Sequence, residues 1–209
     1  MDDPTPTDPS PPDSTGRPAP RALGRLAAWT LAPRPVEDFG ETCLEILRRT
    51  LWIVPCEWIL MGLCFALGVG VGNAGADEVG GLLEQGVLFY FLVGAVLAPA
   101  FEEALFRGLP SLVSDWAKGR KDGLRWPLGF ASAATFALVH NLTSKPGAHS
   151  IELSADLHFD YGTLPAPQFV FGLLLWDLVR RHGLWASALS HMLHNFLYLS
   201  LALLQARPS

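Results

Sequence analysis

Apolar residues gather in five blocks along this chain, at 51–71, 85–101, 127–142, 168–179 and 184–204, and the second block continues amphipathically towards Val113. A helix facing lipid needs about 20 apolar residues to span the hydrocarbon, so the short third and fourth blocks are expected to be enclosed by other helices or to sit where the bilayer thins. The pattern predicts an all-α fold, a polytopic transmembrane helical bundle with about five crossings. Ahead of the first block, residues 36–49 place Phe39, Cys43, Leu44, Ile46 and Leu47 among polar neighbours and end in Arg48-Arg49. This reads as a short amphipathic helix lying at the membrane surface. Residues 1–35, rich in Pro, Asp, Ser and Thr, lack a continuous apolar run and are expected to be a disordered tail rather than a signal segment. Residues 36–209 then form the membrane-embedded domain. Between the third and fourth blocks, 143–164 reads as a long loop in which His149 and His158 are loop residues.

Composition supports a membrane setting. Half of the 209 residues are hydrophobic, and the mean hydropathy of +0.28 is high for a soluble domain. The net charge of −5 is modest, and the basic residues lie between apolar blocks, so membrane lipid is an expected partner and nucleic acid is not. Lys and Arg cluster before the first block, at 118–125 and at Arg180-Arg181; 72–85 has none and 143–164 only Lys145. The positive-inside rule therefore puts the amino terminus inside and the carboxyl terminus outside; the membrane itself is expected to be a bacterial inner (plasma) membrane. Cys43, Cys56 and Cys64 have no metal-site spacing and read as buried thiols.

Into this apolar setting the stretch A-F-E-E-A-L-F-R-G, residues 100–108, brings three ionisable groups. Charge inside a membrane is costly, so such a cluster faces protein or a wet cavity. Glu103 and Arg107, four apart, share a helical face and can pair. Glu102 is left over, and a carboxylate in a dry cavity can serve as a general base near neutral pH. A purely structural network has equal weight on this stretch alone. Two further constellations break the tie. Phe136 and His140 are one turn apart, so the two rings can pack together, and His191 and Asn195 share a face of the fifth block, with His194 rotated away. Polar groups on three separate helices point to one shared buried cavity.

In order along the chain, Glu102-Glu103-x-x-x-Arg107, Phe136-x-x-x-His140 and His191-x-x-x-Asn195 resemble the three motifs of the CAAX protease and bacteriocin-processing (CPBP, or Abi) family. Gly108 and the run 168–175 before an Arg-His-Gly turn also look familial, and the likeness extends from about 85 to 205. The resemblance implies an intramembrane glutamic endopeptidase acting near the carboxyl terminus of a membrane-anchored protein or peptide. It implies that Glu102 and His140 activate a water, that His191 and Asn195 stabilise the oxyanion, and that Glu103, Arg107 and Phe136 support the site. No cofactor and no metal are expected; zinc held by Glu102, His140 and His191 is the alternative. The other functional classes are a non-catalytic immunity or scaffold protein and a transporter using the polar cluster. For the rest, Glu57 is expected to pair or snorkel, Asp177 and Arg181 to form an ion pair, and Gly129, Ala131, Ser132, Ala133 and Ala134 to let helices approach closely. The sequon at Asn141 is read as a chance match.

Overall fold

A computed structural model of the chain describes residues 39–69, 86–116, 125–143, 149–154 and 157–205. The expected tail, the first residues of the amphipathic lead-in, residues 70–85, nearly all of the basic stretch 118–125, parts of 143–164 and the last four residues lie outside the described residues.

The first helix, α1, is Phe39–Ala66. It corrects the expectation of a separate surface helix: residues 39–49 run straight into the first apolar block with no breaker between them. Thr42, Ile46, Thr50, Ile53 and Glu57 recur every three or four residues, which lays them on one buried stripe. The second helical run, α2, is assembled from Val87–Phe91, the π-helical Leu92–Leu97, Ala98–Glu103, the π-helical Ala104–Gly108, and Leu109–Trp116. Each π segment widens the helix and frees backbone groups, a device often found at functional sites. Then come α3 (Arg125–Val139), α4 (Ala166–His182) and α5 (Leu184–Gln205). Gly183, with φ +92°, makes the tight reversal from α4 to α5 that L side chains resist.

Two helices, Phe39–Ala66 and Val87–Ser114, are long and apolar enough to cross a membrane, and Trp126–Val139 is a shorter apolar helix. Only 22% of the most apolar stretch of either long helix is buried, unlike the core helix of a soluble protein. Trp52, Trp58, Ile59, Phe65, Leu88 and Phe101 instead present their side chains outwards. Such a surface suits lipid better than water.

The interior is built where α4 meets α1, α3 and α5. Ile46, Ile53, Phe136, Phe171, Leu175, Leu178 and Ala186 form its apolar cluster. The small-residue face of α3 performs as expected at Gly129, which lies beneath the buried Trp176 indole, and at Ala133, which meets Gly172; Ala131 is exposed. Polar cross-links add register. Thr50 shares a 2.8 Å hydroxyl contact with Ser190, and Ser132 donates to the Phe106 carbonyl, an acceptor within the second π segment. Asp177 and Arg181 pair at 2.8 Å, and Arg49 reaches the same carboxylate at 2.8 Å, tying α4 to α1.

The segment after α3 is not the plain loop expected from sequence. Leu142–Thr143 (β1), Ser150–Ser154 (β2) and Leu157–Asp160 (β3) make a small antiparallel sheet in the order β1-β3-β2. The fold is therefore mostly helical rather than all-α. Asn141 clamps this sheet to the end of α3 by donating to the carbonyls of Asp160 and Thr163 at 2.9 and 3.0 Å. That buried, engaged side chain is unsuited to glycosylation, so the sequon is a chance match. His158 is buried on β3. Among the cysteines only Cys64 is buried; Cys56 is exposed, and all three are free.

Candidate active site

The motif residues of α2, α3 and α5 converge on Phe136 and His191. Glu103 is fully buried and accepts from His191 Nδ1 at 2.9 Å and from the Ser187 hydroxyl. Arg107, one turn on, stands 3.2 Å from the same carboxylate, as the spacing predicts. Its guanidinium lies over the Phe136 ring at 4.0 Å, and its nitrogens lack well-aligned hydrogen bonds among the described residues. Charge attraction and the aromatic face hold it there. Such a fully buried pair is costly to break once made.

His191 takes its tautomer from this network. A carboxylate can only accept, so Nδ1 carries the hydrogen towards Glu103. The other nitrogen, Nε2, faces Glu102 Oε2 at 3.6 Å, just beyond direct hydrogen bonding. Glu102 keeps about a quarter of its side chain exposed. Phe136 packs edge-on to His191 at 5.7 Å and to His140 at 4.5 Å, so one ring separates the two imidazoles. His140 sits just past the end of α3, half-buried, with Nδ1 donating to the Phe136 carbonyl at 2.8 Å. That leaves Nε2 as its basic nitrogen.

Asn195, one turn beyond His191, donates through Nδ2 to the Gly94 carbonyl at 3.0 Å. Gly94 lies in the first π segment, and a Cβ there would come within 2.8 Å of the Leu199 side chain. The close approach of α2 to α5 at this point suits a residue without a side chain.

Sequence reasoning placed these motif residues on separate helices and expected Glu57 to pair or snorkel; it pairs, with partners on α5 that this reasoning did not name. Glu57 of α1 is buried, shares a 2.8 Å hydrogen bond with His194 Nε2 and accepts from the Tyr198 hydroxyl at 2.9 Å. The imidazole of His194 stacks on Phe171 at 4.1 Å, and Phe171 in turn packs edge-on to His191 at 5.2 Å. The signal was present: Glu57 falls on the buried stripe of α1 and His194 and Tyr198 are four apart. Among the described residues, no group of three His, Cys, Asp or Glu is gathered as metal ligands would be. A hollow of about 830 Å³ along α1, lined by Leu44, Arg48, Trp52 and neighbours, shares no residue with this cluster.

Apolar helices with Glu103 and Glu57 turned inward onto two histidines fit a membrane protein with a built polar centre. The family model for type II CAAX prenyl endopeptidases, Rce1-like, matches residues 84–197, more than half of the chain, and the chain belongs to that family. Membership makes it a membrane endopeptidase whose substrate is a membrane-anchored protein. No curated protein and no solved structure matches the chain.

Proposed function

We propose that this protein hydrolyses a peptide bond near the carboxyl terminus of a membrane-anchored protein or peptide, using water activated by Glu102 and His140. Glu102 takes a proton from the water as its oxygen attacks the scissile carbonyl. Collapse of the tetrahedral intermediate breaks the carbon–nitrogen bond, and the proton passes from Glu102 to the leaving amine. His191, which needs a hydrogen on Nε2 as well as on Nδ1 for this, and Asn195 face the developing oxyanion. Donors fixed in advance at a site that excludes water are each worth roughly 3 to 4 kcal/mol.

One observation carries this reading. Of the three ionisable groups in the first motif, Glu103 and Arg107 are used up in a fully buried pair, whereas Glu102 stays partly accessible beside His191 Nε2. A group meant only for packing would gain by joining the pair. The substrate classes that fit are a lipidated CAAX terminus, a bacteriocin-like peptide or a carboxyl-terminal sorting signal. The five apolar blocks supply five crossings, with the amino terminus inside and the carboxyl terminus outside an inner membrane.

Comparative mass spectrometry of membrane proteins, from cells carrying the wild-type protein or Glu102→Ala, tests this function. Carboxyl termini that stay intact only with Glu102→Ala are the expected result. Identical termini in both would refute it.

A further inference from the structure

Asn195 is held at both ends of its amide. Nδ2 donates one hydrogen to the Gly94 carbonyl at 3.0 Å, and Oδ1 lies 3.3 Å from His194 Nδ1, at the long end of a hydrogen bond. An amide oxygen can only accept, so this contact requires a hydrogen on His194 Nδ1. The other nitrogen of the same ring is 2.8 Å from Glu57 Oε2, which also accepts from Tyr198 Oη at 2.9 Å. A neutral histidine with its hydrogen on Nδ1 would need a proton from Glu57 to complete the Nε2 contact, and a charged one would need the Glu57 carboxylate as counter-ion. In either form Glu57 and His194 share a proton that keeps Nδ1 a donor. Both side chains are nearly enclosed, at 6% and 12% exposure, so solvent does not substitute for either partner.

We infer that Glu57 and His194 are positioning residues that set the orientation of the Asn195 amide. Their shared proton pins Oδ1 on the α1 side, the Gly94 carbonyl takes one Nδ2 hydrogen, and the second Nδ2 hydrogen is directed to the reaction centre. Without the His194 donor the amide can rotate and present its oxygen, which would repel a developing oxyanion. Stacking on Phe171 fixes the plane of the His194 ring, and Tyr198 steadies the carboxylate. This inference rests on the hydrolytic reading above, with Asn195 as an oxyanion donor.

Two measurements on the full-length protein in lipid test it. Nitrogen NMR of the histidine-labelled protein should show His194 carrying a hydrogen on Nδ1, and Glu57→Leu, which can neither give nor take a proton at Nε2, should shift the Nε2 resonance as the shared proton is lost. A bare His194 Nδ1 in the wild type would overturn the inference whatever the activity. In turnover of a quenched farnesylated CAAX peptide, Glu57→Leu should lower kcat about tenfold with KM little changed, a size typical of coupled neighbours. Introduced into Asn195→Ala, the same change should cost nothing further. A loss that multiplies with that of Asn195→Ala would mean a merely structural role and would also overturn the inference. Should Glu57→Leu fail to accumulate, Tyr198→Phe weakens the same carboxylate's bonding without altering charge. Its smaller loss should again vanish in Asn195→Ala. Absence of any cleavage by the wild type would remove the hydrolytic reading and the role with it, while the nitrogen spectrum separately decides whether the proton-sharing linkage exists.

Discussion

Glu103 grips His191 through Nδ1 at 2.9 Å, so the glutamate that neutralises Arg107 also orients an imidazole of the site. The two tasks meet in one buried carboxylate, and each helix it joins, α2 and α5, depends on it. Glu103→Gln keeps the shape and removes the charge, leaving the Arg107 guanidinium buried without a counter-ion. The expected loss is about 3 to 5 kcal/mol of stability, seen as a lower thermal midpoint in detergent and reduced accumulation in membranes. Activity per folded molecule should fall as well, because His191 loses its charged anchor. Unchanged stability would mean that Arg107 finds another partner.

Close approach of α3 to α4 gives a prediction independent of the chemistry. A Cβ at Gly129 would overlap the indole of Trp176, which is itself fully buried. Gly129→Ala should therefore cost about 1 to 3 kcal/mol through overpacking. Thermal unfolding in detergent checks it, and a variant as stable as the wild type would contradict the packing described.

The parts of this fold that could be read from sequence are those where one local spacing decides the outcome. Glu103 with Arg107, Phe136 with His140 and Asp177 with Arg181 are all four apart in a helix, and each pair meets. Contacts between helices were less legible, since nothing local says that Glu57 faces His194 across 137 residues or that Asn195 meets the Gly94 carbonyl. The π segments of α2, which shift the register where Gly94 and Arg107 sit, leave no simple periodic trace. The small sheet was readable in part: Ser150 to Ser154 alternates polar and apolar residues, but a run of five between apolar helices is outweighed by its Gly, Pro and Ser surroundings. Cys56 was read as buried because apolar neighbours in a membrane helix can face lipid as readily as protein.

The basic flanks of the apolar blocks predict orientation. A reporter joined after Ser209 should be labelled from the outer face, and one inserted after Arg120 from the inner face. Opposite labelling at either position would overturn the five-crossing arrangement.

His140 and Asn195 are expected to differ in importance. In the proposed scheme His140 would share the nucleophilic water with Glu102, whereas Asn195 would be one oxyanion donor of two. Asn195→Ala should lose on the order of 100- to 1000-fold in turnover and retain measurable activity. His140→Ala should fall further. The purified enzyme should also keep its activity through exhaustive chelation, because no step in the proposed scheme calls on a Lewis acid. Inactivation that zinc alone reverses, with stoichiometric bound metal, would make Glu102, His140 and His191 ligands instead.

The most direct test of the central claim is the turnover of Glu102→Gln on the quenched farnesylated CAAX peptide, or on a natural substrate identified from its termini. Glutamine preserves the volume of the side chain but cannot take the proton from water. The variant should insert and accumulate like the wild type, since Glu102 stands outside the buried Glu103–Arg107 pair, and its cleavage should be lost. Near-wild-type turnover by Glu102→Gln would contradict the account.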